Sequence, residues 1–286
     1  MTSTLPRAHA PHVRPRHLAA PPRVGLVNLM PRAAEFERML TPQFAGAAPF
    51  EAVWLRVPGR TYRNDDPADL GHYVDPADMG DLDAVVITGA AVEHLPFEQV
   101  GFLGHVADVL EHASARALPV LGLCWGGLAV GYLRLGLRSH VHEVKVTGAY
   151  ETDLLVADHP IGDGLDDRFW TAHSRQAGFD EHDVAAAVAA GTVRVLGRAP
   201  APAGTVIAES TDHALLMHVG HPEYDGGRMA YEYHRDSAAG PVPLPANVSL
   251  DDPVCRWRSH SRTFLANWVE LVYAAALARA GGGGTR

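Results

Sequence analysis

Val120-Leu121-Gly122-Leu123-Cys124-Trp125-Gly126-Gly127 places a cysteine where a short apolar run gives way to a helical pattern over Leu128 to Leu135. The pattern is Gly-x-Cys-x-Gly, a nucleophile elbow with cysteine in place of serine. The flanking residues must be small because a strand and a helix crowd each other at so sharp a turn. Cys124 then stands at a helix N-terminus, where the positive end of the macrodipole favours thiolate over thiol. The same residue also reads as a small buried hydrophobe closing a strand. By itself the motif leaves those two readings level.

A second segment separates them. His213-Ala214-Leu215-Leu216-Met217-His218-Val219-Gly220 reads as another buried strand and runs into His221-Pro222-Glu223-Tyr224. A cysteine nucleophile wants an imidazole base, and the imidazole wants a carboxylate to fix its tautomer. Both would arrive at the C-terminal edge of a sheet, where open α/β sheets hold their sites. Pro222 stiffens the turn that aims His221 and Glu223. With 17 histidines in the chain, a surface turn is the ordinary alternative for His221. Cys124, His221 and Glu223 together favour a catalytic site.

Bulk properties narrow the classes. A chain of 286 residues, 47% hydrophobic, can bury a substantial core. A net charge of -9 argues against a nucleic-acid binder, although a local pocket can still take an anionic substrate. The two cysteines, Cys124 and Cys255, form no disulfide framework, so a reducing cytoplasm is the expected setting. No apolar run approaches the ~20 residues of a membrane helix, and residues 1–22 have prolines and arginines but no signal-peptide core.

Short apolar runs alternate with helical patterns, which predicts an α/β fold with a mostly parallel central sheet flanked by helices. Strands are expected at 24–29, 52–57, 84–88, 120–123, 145–150, 193–196, 206–209 and 215–219. Helices are expected at 33–40, 97–115, 126–135, 226–237 and 262–280. Residues 1–22 read as a flexible arm, 23–280 as one domain, and the Gly-rich 281–286 as a disordered tail. His213 and His218 sit at odd spacing and would face opposite ways on a strand. With no His pair at helical spacing and no CxxC, no metal site is expected.

The ordered segments Val27-Asn28-Leu29-Met30-Pro31, Ile87-Thr88-Gly89-Ala90, Cys124-Trp125-Gly126, Lys145 to Glu151, His173-Ser174-Arg175, Gly220 to Asp225, Glu232 to Asp236 and Trp257-Arg258-Ser259-His260 resemble the homoserine O-acyltransferase family. The resemblance runs from about Arg23 to Tyr273. It implies a class I glutamine amidotransferase-like, flavodoxin-like three-layer fold and a homodimer. Cys124 would take the acyl group of an acyl-CoA as a thioester, with no bound cofactor. His221 would act as base, with Glu223 bracing it. Backbone N–H groups of Trp125 and of the Ala90-Ala91 turn are the candidate oxyanion donors.

The resemblance also assigns substrate contacts. Arg235 would grip the acceptor carboxylate in bidentate fashion, with Lys145 and Ser174 at positions the family uses for binding. Glu232, one turn before Arg235, could face the ammonium. Without the motif, Glu232 and Arg235 read as an exposed ion pair, Lys145 as a solvated strand-end lysine and Ser174 as a turn hydroxyl. Glu93 stands where acetyl-using members carry glutamate, so acetyl-CoA is expected over succinyl-CoA.

Departures at Arg32 to Phe36, at Ala91 where proline is common, and at Gln176 where tyrosine is usual cluster near the acceptor pocket. They keep L-serine or a related amino alcohol beside L-homoserine as acceptor. Two other classes compete: a glutaminase, against which the Gly-Gly-Leu after the nucleophile counts, and a non-catalytic binding protein.

Overall fold

The computed structural model describes residues 18–58, 60, 62, 64–156 and 158–282. The strands are β1 (Arg23–Val27), β2 (Glu51–Leu55), β3 (Ala84–Ile87), β4 (Val120–Leu123), β5 (Ser139–Leu154), β6 (Arg168–Phe179), β7 (Val193–Arg198), β8 (Thr205–Ser210) and β9 (Leu215–His218). They form one sheet in the order β2-β1-β3-β4-β9-β8-β7-β5-β6. The first five in that order pair in parallel, and the remaining junctions are antiparallel. The helices are α1 (Ala33–Leu40), α2 (Leu103–Ala115), α3 (Trp125–Leu135), α4 (Glu181–Ala189), α5 (Gly226–Ser237) and α6 (Arg258–Gly282).

Side chains alternate across the parallel strands and are buried on both sides. Val24, Leu26, Val86, Leu121 and Leu123 pack with α1 and α6 through Phe36, Leu40, Phe264 and Trp268. Val85, Ile87 and Val120 pack with α2 and α3 through Val106, Leu110, Leu128 and Val130. This is the three-layer arrangement expected of the periodicity.

Several elements depart from expectation. The strand expected at 145–150 is the middle of the 16-residue β5. β6, 12 residues long, is absent from the predicted set because His173, Ser174, Arg175 and Gln176 interrupt its apolar pattern. Eight of its residues besides those four still include the buried Phe169, Ala172, Ala177 and Phe179. α4 was also missed, since its Ala-rich run has little periodicity; Asp180 caps it by accepting from His182 N and Asp183 N. The helix expected at 97–115 is a single 3₁₀ turn at Phe97–Gln99 followed by α2. Most of the expected arm and tail lies outside the described residues. Among the described residues, no helix is long and apolar enough to cross a membrane.

The turn from β4 into α3 is set by close packing. A Cβ on Gly126 would lie 2.2 Å from Ile87 O, and one on Gly122 would lie 2.6 Å from Gly127 Cα. Gly126→Ala should therefore lower the unfolding free energy by about 3 kcal/mol, the upper end for an overpacked interior. Gly227→Ala, whose added carbon meets nothing nearer than 3.5 Å, should stay within about 1 kcal/mol of the parent. Urea unfolding midpoints test both; a Gly126→Ala protein as stable as the parent contradicts this packing.

Candidate active site

Cys124 is the residue between β4 and α3, held at φ 50 and ψ -119. A positive φ is rare for a residue with a side chain and marks stored strain. Its N–H donates to His218 O at 2.8 Å, so the strand bonding of β4 to β9 continues through the nucleophile position. Cys124 is 8% exposed, and it lines a cavity of about 70 Å³ with Ala90, Ala91, Glu93 and His221. Trp125 opens α3, so its N–H has no acceptor within the helix. Its indole is buried between Phe97 and Phe102.

His221 follows β9. Its N–H donates to Ala172 O of β6 at 2.8 Å, which fixes the turn against the β5–β6 ribbon. Its Nδ1 donates to Glu223 Oε1 at 2.7 Å, and its ring stacks on Tyr224 with centroids 4.2 Å apart. Burial opposes charge on the ring, but Cys124 and Glu223 outweigh it and hold the His221 pKa well above the imidazole range. His221 Nε2 and Glu223 Oε2 are both buried without a hydrogen-bond partner. Unsatisfied buried polar atoms are rare and concentrate where chemistry is done. Cys124, His221 and Glu223 are thus brought together as expected, in an arrangement that can attack a carbonyl and move a proton.

The α5 side of the cavity is a charge network. Asp225 caps α5 by accepting from Arg228 N at 2.7 Å. Glu232 is 3% exposed. Its Oε1 accepts from Arg235 Nη1 at 2.8 Å and faces Arg228 Nη2 at 2.7 Å. Its Oε2 accepts from Arg235 Nη2 at 2.6 Å and from Ser174 Oγ at 3.3 Å. Lys145 Nζ pairs with Asp236 and lies 3.9 Å from Glu232. Lys145, Ser174, Glu232 and Arg235 all line the Cys124 cavity. Glu232 and Arg235 do pair, but as a half-buried bidentate contact rather than an exposed one. Arg228, which the sequence reading passed over, bridges Glu35 of α1 and Glu232.

Glu93 is half-buried and lines the same cavity. Its Oε1 accepts from Gln176 N at 3.3 Å, while Gln176 Nε2 donates to His142 O. The unusual Gln176 therefore sits on the strand that holds Glu93. The neighbouring Arg175 also went unassigned, and it is 1% exposed. A polar run inside a strand was the available signal for both.

His213 does not approach His221. It lies before β9, at the opposite end of the sheet, where His159 Nε2 and His213 Nδ1 lie 3.0 and 3.2 Å from Glu209 Oε2. His159 Nδ1 accepts from Ile161 N, so its Nε2 carries the proton and donates to Glu209. Arg194 Nε lies 3.1 Å from Glu209 Oε1, an atom that is buried and accepts no hydrogen bond, and the ligand atoms of His159, Glu209 and His213 lie within 4.8 Å of one another.

A family model for homoserine O-succinyltransferase matches residues 7–277. The chain is 31% identical over 264 residues to a homoserine O-acetyltransferase of a Ruegeria species, covering 88% of this chain and 83% of that one. It is 32% identical over 263 residues to a homoserine O-succinyltransferase of Shewanella amazonensis, covering 87% and 81%. A glutamine amidotransferase from Thermotoga maritima shares the fold with a TM-score of 0.57 at 14% identity, covering 88% of this chain and 97% of that one.

The buried histidines give a pH prediction. Burial holds His218 at about 4, and its Nδ1 accepts from Gly220 N at 3.0 Å. The folded pKa lies below the unfolded value of ~6.5, so this contribution is full above that pH and is lost as pH falls toward 4. From pH 7 to pH 5 the unfolding free energy should drop by about 2 kcal/mol through this residue. Denaturant titrations at the two pH values should show that drop shrinking by the same amount in His218→Asn. An identical drop in both proteins would rule the assignment out.

Proposed function

This chain belongs to the homoserine O-succinyltransferase family, and on that footing we propose that it moves an acetyl group from acetyl-CoA, through a thioester on Cys124, to the side-chain hydroxyl of L-homoserine. The observation that carries the reading is the buried Cys124–His221–Glu223 group, in which Glu223 bonds His221 Nδ1 and Cys124 with Glu223 favours charge on the ring. In the first half-reaction the Cys124 sulfur attacks the thioester carbonyl and the bond to the CoA sulfur breaks. His221 gives its proton to the departing thiolate. In the second, His221 takes the proton of the acceptor hydroxyl as its oxygen attacks and the bond to Cys124 breaks. Glu223 keeps the ring oriented throughout. The N–H groups of Trp125, Ala90 and Ala91 are the donors for the oxyanion of each tetrahedral intermediate.

Arg235 is our candidate for gripping the acceptor carboxylate. Lys145 and Ser174 serve the same end of the pocket. Glu232 braces Arg235 and becomes available to the acceptor ammonium when Arg235 turns toward substrate. Glu93 selects the donor. A succinyl carboxylate about 4 Å from it would cost on the order of 4 kcal/mol at an effective dielectric of 20. L-serine is the second reading for the acceptor, favoured by the departures at Ala91, which lines the cavity, and at Gln176, which bonds Glu93. One methylene changes discrimination by only ~1 to 3 kcal/mol. The reading carries with it a cytoplasmic homodimer supplying methionine or cysteine synthesis, in keeping with two free cysteines.

Intact mass after exposure to acetyl-CoA should show one added acetyl group, absent in Cys124→Ala. Product formation from acetyl- and succinyl-CoA against homoserine and serine then decides the substrates. Ammonia release from glutamine without an O-acyl product would establish a glutaminase instead, and no covalent mass with any donor would leave a binding protein. Glu93→Gly should raise kcat/KM for succinyl-CoA at least about tenfold, a change of ~1.4 kcal/mol. No gain with succinyl-CoA removes Glu93 from donor choice.

A further inference from the structure

Arg228 lines a cavity of about 160 Å³ that shares Met30, Ala91 and Arg235 with the Cys124 cavity, yet neither half-reaction uses it. It is the third residue of α5, behind the capping Asp225, and a cation in the first turn of a helix is opposed by the helix dipole. Helix formation therefore does not explain it. Its side chain is 12% exposed, with Nη1 on Glu35 of α1 and Nη2 2.7 Å from Glu232 Oε1. The guanidinium lies over the rings of Tyr224 and Tyr231, 5.4 and 4.9 Å from their centroids. Its Nε is left buried without a partner. The fork is spent on two carboxylates from different helices, and one of them, Glu232, is in the wall of the Cys124 cavity.

Arg235 has more freedom. Its side chain is 47% exposed, and it holds two carboxylates, Glu232 through both terminal nitrogens and Asp236 through Nε at 2.7 Å. To grip an acceptor carboxylate with its fork it must let go of Glu232. A buried carboxylate that loses its cation is costly, and Glu232 is 3% exposed. Asp236 keeps Lys145 if Arg235 departs altogether. Among the described residues, Glu232 then keeps Arg228 as its close cation, because Lys145 Nζ is 3.9 Å away and Ser174 Oγ carries no charge. Glu35 anchors Arg228 from the far side, so it stays in place.

We propose that Arg228 is a positioning residue for acceptor recognition: it holds Glu232 as an ion, so that Arg235 is released to the acceptor carboxylate. The inference rests on the reading of Arg235 as that grip. Without Arg228, Glu232 captures Arg235, and the acceptor carboxylate meets no free guanidinium.

The test starts from the acetyl-enzyme, made with acetyl-CoA and freed of CoA, and follows loss of the acetyl mass on mixing with acceptor. L-Homoserine is compared with 3-aminopropan-1-ol, the same chain without its carboxylate, and L-serine with 2-aminoethanol. In Arg228→Gln the preference for the amino acid over its decarboxylated partner should fall about tenfold, while acetylation of Cys124 stays within about threefold of the parent rate. Adding Glu232→Gln should restore the preference, since no buried carboxylate remains to capture Arg235. An equal loss with both acceptors marks a merely structural role and overturns the proposal, as does an unchanged preference or slowed acetylation of Cys124. Arg228→Lys keeps a charge beside Glu232 and should stay near the parent. It decides if Arg228→Gln does not fold: a fall there as large as the one expected of Arg228→Gln overturns the proposal. A parent protein with no preference for the carboxylate removes Arg235 as the grip and this inference with it. A parent that forms no acetyl-enzyme overturns the acyl-transfer reading itself, before any acceptor is added.

Discussion

The close approach of α3 to β3 and β4 is the constraint on which the rest depends. With a hydrogen as the side chain at Gly126, the helix start can lie against Ile87 O, where a methyl group would collide. The chain then has no room to leave β4 gradually, and Cys124 absorbs the turn at φ 50. That one strained residue projects its sulfur past the sheet edge while its N–H still completes the β9 pairing. It also puts Cys124 at the N-cap of α3, so the residue at the turn and the positive end of the helix dipole come from a single packing event.

Around that point, the structure separates charges into matched and unmatched sets. Glu232 is surrounded by two guanidinium groups and a hydroxyl, a buried carboxylate that would be prohibitive if left alone. His221 and Glu223 each keep one buried polar atom without a partner, a penalty the fold carries where a substrate could relieve it. The β5–β6 ribbon supplies much of this environment. It delivers Lys145, Ser174, Gln176 and Arg175 from two adjacent strands, and Ala172 O of the same ribbon holds His221 N.

Several conspicuous sequence motifs turn out to build the frame instead. Asn28 is fully buried; its Nδ2 donates to Ala33 O and Tyr73 Oη, and its Oδ1 accepts from Met30 N. Thr88 Oγ1 accepts from Leu29 N, tying the loops after β1 and β3 together. Trp257 Nε1 donates to Tyr224 O, and His260 Nδ1 accepts from Trp170 N. Of these motif residues, Met30 lines the Cys124 cavity, while Trp257 and His260 do not.

The parallel core, the elbow and the partnership of Cys124, His221 and Glu223 were legible in one dimension. They follow from local rules: strand alternation, the need for glycine at a tight strand-to-helix turn, and short-range spacing in His-Pro-Glu. β6 and α4 were not, because tertiary burial on both faces lets a polar run persist as a strand and an Ala-rich run persist as a helix. The bonding of Glu232 to Arg228, the hold of Gln176 on Glu93 and the burial of Arg175 were likewise invisible. Sequence alone determined which chemical groups this protein owns and which parallel strands lead to Cys124 and His221. Only the tertiary structure decided which charges meet a partner, because electrostatic pairing depends on distance and burial between segments far apart in the chain.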